Sequence, residues 1–344
     1  MSIFYRAVPL VMAAICLAFG IYIRTGGDTS AHYTAGQVCV ALTAICYALF
    51  TTAATIIRQI IGRYGPRWRV ALPVSGYLMV LATVIWGITM VVWGDAPAHE
   101  VAGFVVIGVG LVAACVSTVA TASSAFDLIK VSAASRPGAG APEGAYPAMT
   151  GTVLIIIPAA CAVVGFLMAI GLYIAGGTFR VVAAHVVFGL ALVCTSLIAL
   201  VASIVRQIRN EYGEAERYRW SWVVVAMGTI AVVVGLLVLW GSDSPARIAP
   251  GCVLIALGLI CFSILSKVLL LGLVWRRSSA LAGQIPIIPV VTALACLFFS
   301  AFLSEAASGD PAFFVPARVT AGLGAVCFTL YSIVSILEAG TSGD

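Results

Sequence analysis

The sequence is poor in charge, since Asp, Glu, Lys and Arg together make up 9% of its 344 residues. A water-soluble globular domain usually carries about 25% charged residues, so this composition excludes a soluble globule. Apolar side chains account for 62% of the chain, and they are spread over its whole length. No stretch is left for a separate soluble domain, and the composition predicts an integral membrane protein.

Motifs of enzymes and of metal sites are also missing. The chain has no His-Glu-x-x-His, no Gly-x-Ser-x-Gly, no phosphate-binding loop and no thioredoxin-type cysteine pair. Its ten cysteines lie inside apolar runs, with the spacing of neither a metal site nor an extracellular disulfide framework. We therefore predict that the protein is not an enzyme and has no cofactor and no metal site.

The chain does contain apolar runs of about 20 residues, each long enough to cross a hydrocarbon core as a helix. We predict ten transmembrane helices, roughly at 7–24, 34–57, 70–93, 101–128, 152–175, 182–206, 221–241, 249–275, 285–305 and 315–338. The expected fold is all-α, in a single membrane domain over residues 1–344. Its predicted units are 1–131 (helices 1–4), a cytoplasmic linker at 132–149, 150–284 (helices 5–8) and 285–344 (helices 9–10).

One stretch of twelve residues occurs five times, at the start of each even-numbered helix. Its clearest copy is AAHVVFGLALVC from Ala183, and the others begin at Ala35, Ala102, Pro250 and Pro316, with spacings of 67, 81, 67 and 66 residues. Repetition of this kind is typical of a structure built from copies of one unit. We therefore predict five pseudo-repeated helical hairpins in parallel orientation.

The even-numbered helices also share a stripe of small and weakly polar residues. We call these ten residues the polar stripe: Ala48, Cys115, Ser196, Ser263, Thr329, Thr51, Thr118, Ala199, Ser266 and Ser332. In one interpretation the five even helices form an inner ring, and the stripe faces a shared axis. In the alternative, which we prefer, the stripe is ordinary helix packing in which Ser and Thr bond to their own backbone.

Basic residues crowd the connectors that follow the even-numbered helices, for example Arg206, Arg276 and Arg277. The positive-inside rule therefore predicts that these connectors and both termini are cytoplasmic. Arginine at membrane boundaries accounts for the basic connectors, so we expect no nucleic-acid partner. The partners expected are the lipid bilayer and a small solute or ion, and the sequence leaves a homo-oligomer open.

Four ionisable residues are candidates for a pathway or another function. Lys267 lies nine residues before Arg276, about 13 Å inside the end of helix eight. A charge at that depth is costly, and it marks either a functional site or an ion pair, with Asp127 or Glu338 as the partner.

The other candidates, His185, Arg318 and Glu305, lie near the opposite, outer ends of their helices. His185 and Arg318 lie a turn or two inside. Glu305 ends helix nine, and we expect it to pair with Arg318 across a short turn and so to set the register of two helices.

Several motifs carry a resemblance to a known family. They include Ala246-Arg247-Ile248-Ala249-Pro250-Gly251, Ser266-Lys267-Val268 and Ser332-Ile333-Val334-Ser335-Ile336-Leu337-Glu338. With them the chain resembles the YhiM-like family of bacterial multi-pass inner-membrane proteins. The resemblance implies a location in the bacterial inner membrane and a role in survival at low pH. It implies no biochemical activity, because none is established for the family.

These observations lead to two functional hypotheses. The first is a small-solute or ion pathway that contributes to survival of acid or envelope stress. The alternative is a membrane scaffold or stress accessory protein that transports nothing and acts through its cytoplasmic Arg-rich loops. The two differ in whether water reaches the interior of the helix bundle.

Overall fold

A computed structural model describes residues 3–61, 63, 65–125, 148–208, 214–241, 244–274 and 285–341. Within them the chain forms ten long α-helices and no strand. The helices are α1 (Ile3–Thr25), α2 (Ser30–Ile60), α3 (Pro66–Trp93), α4 (Pro97–Ala125), α5 (Ala148–Ala175), α6 (Thr178–Ile208), α7 (Glu214–Trp240), α8 (Ile248–Val274), α9 (Ile287–Ala306) and α10 (Phe314–Thr341). Most of the predicted linker, 132–149, lies outside the described residues.

All ten helices contain a segment that is long and apolar enough to cross a membrane. This confirms the ten predicted spans and the all-α membrane fold. A helix suits these segments because it satisfies every backbone hydrogen bond within itself, as a hydrocarbon environment requires. The parallel orientation of five repeats stays a prediction.

The ten helices form two layers. In the even-numbered helices 72–83% of the most apolar 18-residue window is buried, whereas in the odd-numbered helices the share is 22–33%. Helix α2 packs on α4, α4 on α6, α6 on α8, α8 on α10, and α10 returns to α2. The even helices thus form a closed inner ring, and each odd helix packs on the outside against the even helix that follows it.

Glycines make the contact between the two layers close. A Cβ atom on Gly20 of α1 would lie 2.6 Å from the backbone nitrogen of Val40 and 2.9 Å from the carbonyl oxygen of Gly36, both in α2. The pairs Gly87–Gly103 and Gly235–Gly251 make the same kind of contact between α3 and α4 and between α7 and α8. Small residues of this kind let membrane helices approach until their backbones touch.

The hairpin turn between α5 and α6 also depends on glycine. Only Gly176 and Gly177 separate the two helices, and their φ angles are +70° and +84°. A residue with a side chain rarely adopts positive φ, so a two-residue turn of this shape requires glycine at both positions.

A second set of glycines brings neighbouring helices of the inner ring together. Leu190 of α6 lies over Gly108 of α4, so closely that a Cβ atom on the glycine would be 2.7 Å from a leucine methyl group. Leu257 lies over Gly189 and Leu42 over Gly322 in the same way, at 2.6 Å. These contacts draw the even helices inward and leave only a narrow space along the ring axis.

Candidate functional site

The axis of the inner ring contains an apolar cavity near the middle of the helices. All five even helices line it, through Ile45, Leu49, Val112, Val116, Leu190, Val193, Leu197, Leu257, Ile260, Ile264, Leu323, Val326 and Leu330. Its volume is about 20 Å³, measured as the space open to the centre of a water molecule. A site for one water needs about 10–15 Å³ on this measure, but also two to four polar partners, and the lining offers none. The cavity is therefore expected to be dry.

Ten of the lining residues form two layers, each with one side chain from every even helix. We call these two layers the aliphatic gate: Ile45, Val112, Val193, Ile260 and Val326, followed by Leu49, Val116, Leu197, Ile264 and Leu330. Within a layer the residue numbers differ by 67, 81, 67 and 66, which are the spacings of the repeated stretch. These layers line the axis with branched aliphatic side chains, which offer no polar partner to water or to an ion.

A second cavity lies on the same axis, closer to the carboxyl ends of the even helices. We call it the Lys267 chamber, and it is lined by Thr52, Ile56, Val119, Ser123, Leu200, Ile204, Lys267, Leu271, Ile333 and Leu337. Its volume, on the same measure, is also about 20 Å³. Lys267 is the one ionisable residue of this lining, and it stands in the layer where the other helices place Thr52, Val119, Leu200 and Ile333.

Lys267 is 3% exposed, and in the described part of the chain its ammonium group forms neither an ion pair nor a hydrogen bond. The two predicted partners cannot be placed, because Asp127 and the side chain of Glu338 lie outside the described residues. The neighbouring Thr52 hydroxyl donates to the carbonyl oxygen of Ala48 at 3.2 Å. Lys267 therefore lines the chamber with an amine that no described carboxylate pairs with.

The polar stripe does not face this axis. None of its ten residues lines either axial cavity. Five of its hydroxyls instead donate to backbone oxygens of their own helices: Thr51 to Ala48 (2.8 Å), Thr118 to Ala114 (2.9 Å), Ser196 to Leu192 (3.1 Å), Ser266 to Ser263 (2.6 Å) and Thr329 to Ala325 (2.9 Å). The Ser263 hydroxyl is buried without a partner among the described residues. The preferred interpretation of the stripe, helix packing with Ser and Thr bonded to their own backbone, is thus confirmed. The even helices do form a ring, but the stripe does not face its axis. In the second layer of the gate, from Leu49 to Leu330, each residue directly follows a stripe residue. Because a helix turns by about 100° per residue, the stripe residue points away from the axis when its neighbour points toward it.

His185 does not reach the axis either. It is half-buried, its Nδ1 donates to the carbonyl oxygen of Val181 at 2.7 Å, and its ring meets the edge of Tyr173 on α5. A ring held by its own helix and by an aromatic neighbour is typical of a packed side chain. The structure therefore places His185 between the two helix layers, away from Lys267.

The predicted ion pair between Glu305 and Arg318 is wrong for the residues that the structure describes. Glu305 is exposed at the end of α9, and no ion pair joins it to Arg318. The Arg318 guanidinium instead lies over the ring of Phe314, 4.2 Å from its centroid, and its Nη1 is buried without a hydrogen-bond partner. Arg318 turns back along its own helix because Phe314 lies one turn earlier, where the two side chains can meet.

Sequence reasoning missed the axial layers, although a signal for them was present. On α2 the axis-facing residues Ile45, Leu49, Thr52 and Ile56 follow one another at intervals of four, three and four. Alternating intervals of three and four are the heptad spacing by which parallel helices surround a common axis. Alignment of the five repeats at these positions distinguishes the axis-facing residues from the polar stripe.

Comparison with known proteins gives the chain a family. Residues 1–342 match the family described as "Protein of unknown function (DUF2776)". The chain belongs to the DUF2776 family. This DUF2776 chain is also 46% identical, over 340 residues, to "Inner membrane protein YhiM" of Escherichia coli (strain K12), a match that covers 98% of this chain and 97% of that protein. The resemblance drawn from the sequence is thereby confirmed, and ten apolar helices agree with a membrane protein. No solved structure matches the chain.

Proposed function

We propose that the inner ring of even helices is a gated pathway for a small solute or ion, closed in this conformation by the aliphatic gate. The observation that carries the proposal is the pair of cavities in series on the axis of a closed five-helix ring, one of which is lined by the buried ionisable residue Lys267. Charged residues inside membrane helices are rare, and they commonly face a water-filled cavity or a transport path.

The gate makes physical sense as a barrier that can open. Ten aliphatic side chains hold it closed without a hydrogen bond or an ion pair between them. A small outward movement of the even helices would therefore widen the axis without breaking polar contacts. Hydrophobic constrictions of this kind open and close by wetting and drying.

The proposal includes the location and the context of the pathway. A 46% identical relative named as an inner-membrane protein supports the bacterial inner membrane. The excess of arginine after the even helices supports cytoplasmic termini, and hence a Lys267 chamber near the cytoplasmic face. We further propose that the protein contributes to survival of acid or envelope stress and that it has no enzymatic activity.

One observation favours the alternative function. The axis is narrow and apolar at the gate, and most hydroxyls of the polar stripe are satisfied within their own helices. A permanently dry core of this kind suits a scaffold or accessory protein that acts through its cytoplasmic loops. The two proposals differ in what a polar residue at the gate would do.

The decisive experiment places a hydroxyl in the gate by the substitution Ile264→Ser. In a pathway, the hydroxyl should hydrate the constriction and raise ion release from proteoliposomes loaded with potassium chloride. We expect an increase of at least about tenfold, equivalent to a barrier lower by about 1.4 kcal/mol. Potassium and chloride release would both be followed with ion-selective electrodes.

Leu265→Ser is the matched control, because Leu265 is the next residue of α8 and lines neither axial cavity. It should release ions at the wild-type rate. If Ile264→Ser and Leu265→Ser both behave like the wild type while remaining folded, the axis conducts nothing and the scaffold function is preferred. If both leak equally, the release reflects general loosening of the bundle and also counts against the gate.

A further inference from the structure

The Lys267 chamber combines three features that a packing site would not need together. Its one charged side chain is 3% exposed. Its lining includes Ser123, and in the described part of the chain neither the Ser123 hydroxyl nor the Lys267 amine is engaged in a hydrogen bond. The chamber also has free volume, about 20 Å³, into which these groups can direct their donors.

An ammonium group in such a place needs a counter-charge. Transfer of an isolated charge from water to an apolar interior is strongly unfavourable, and buried charges are therefore paired or otherwise compensated. The rest of the lining consists of Thr52 and of aliphatic residues such as Leu200, Ile204 and Leu271. These side chains pack well, but none of them can neutralise a positive charge.

We propose that the Lys267 chamber binds a small monovalent inorganic anion, of the size of chloride or bromide. This inference rests on the proposed function, and it assigns the class of ion that the pathway would carry. Lys267 supplies the charge and up to three N–H donors, and Ser123 supplies an O–H donor. The Thr52 hydroxyl is already used, since it donates to the Ala48 carbonyl.

The size of the chamber selects among anions. A free volume of about 20 Å³ holds one or two water-sized centres, so a single halide ion fits. An organic anion such as gluconate is too large for the chamber in this conformation. The aliphatic gate lies directly above, so a bound halide ion would be held between the gate and the carboxyl ends of the even helices.

The test is thermal unfolding of the purified full-length protein in detergent micelles. Tryptophan fluorescence would be followed while sodium gluconate is replaced by sodium chloride at constant sodium concentration. A ligand that binds only the folded protein raises its melting temperature in a saturable way. We expect chloride and bromide to do so in the wild type, and we expect the half-saturating chloride concentration to rise at least tenfold in Lys267→Met and several-fold in Ser123→Ala.

Arg247→Met is the matched control, because it removes an exposed cation of the same helix hairpin and should keep the wild-type response. Two results would overturn the proposal: no saturable halide effect in the wild type, or the same halide effect in Lys267→Met as in the wild type. A neutral Lys267 amine would not attract a halide ion, so the wild type would show no saturable halide effect and the proposal would be overturned. If Lys267→Met does not fold, the wild type and Ser123→Ala still decide the question. A wild type that is stabilised by halide but not by gluconate must then need a higher halide concentration when the Ser123 hydroxyl is removed.

The same preparations separate this inference from the proposed function. A saturable halide effect with no ion release from Ile264→Ser proteoliposomes would keep the anion site and overturn the pathway. Ion release from Ile264→Ser that does not discriminate chloride from potassium, and that Lys267→Met leaves unchanged, would keep the pathway and overturn the anion assignment.

Discussion

The buried charge of Lys267 leads to an unusual prediction, namely that its removal stabilises the folded protein. Lys267→Met replaces an ammonium that no described carboxylate neutralises with a side chain of similar length. Methionine is flexible and fills irregular apolar spaces. Its neighbours across the chamber, such as Leu200, Leu271 and Ile333, offer an apolar surface for it.

The expected gain follows from the position of the charge. A lysine at the centre of a membrane helix costs about 2.5–3.5 kcal/mol on an insertion scale. Lys267 lies nearer the end of the membrane-crossing segment Pro245–Leu271 than its centre, so we expect a gain of about 2 kcal/mol in the free energy of unfolding. This corresponds to roughly a thirtyfold change in the ratio of folded to unfolded protein.

The assay is reversible unfolding in mixed micelles with increasing denaturing detergent, followed by tryptophan fluorescence. Gluconate buffer is used, because a bound halide ion would neutralise Lys267 and reduce the difference. Ile333→Met is the control, since Ile333 lines the same chamber and an aliphatic exchange of this kind changes stability by less than about 1.5 kcal/mol.

The reasoning would be refuted if Lys267→Met lowered the free energy of unfolding by more than about 1 kcal/mol while Ile333→Met did not. That result would mean that Lys267 holds the fold together, as it would through an ion pair with the Glu338 side chain. The chamber would then be a structural site, and neither an anion site nor part of a pathway.

Two further predictions concern the packing of the helices. Gly87→Ala should destabilise the protein by about 1–3 kcal/mol, because the new Cβ would lie 2.9 Å from the carbonyl oxygen of Gly103. Gly171 has open space around it, so Gly171→Ala should have no such effect in the same unfolding assay. Equal effects of the two substitutions would contradict the close contact of α3 and α4. Ser266→Ala should leave ion release unchanged and alter the free energy of unfolding by less than about 1 kcal/mol, because the hydroxyl bonds to its own helix. A large change in ion release would mean that the polar stripe lines the pathway after all.

The errors of the sequence analysis have a common cause. Ser, Thr and Cys repeat on every even helix, so the sequence allows a polar lining beside the preferred interpretation, helix packing. In the structure the residue that follows each of them lines the axis instead, and most of these residues are aliphatic. Glu305 and Arg318 are likewise close along the chain, but Arg318 turns to Phe314. In both cases the direction of a side chain depends on what its neighbours in space leave open.

The sequence by itself determined the ten membrane helices, because each is specified by its own apolar length and needs no partner to satisfy its backbone. It also identified Lys267, since a charge within an apolar run is visible without a structure. Only the tertiary structure decided that five helices close into a ring and that Lys267 faces its axis. Ring closure depends on contacts such as Leu190 with Gly108 and Leu42 with Gly322, which join residues 82 and 280 positions apart. No local pattern contains such contacts.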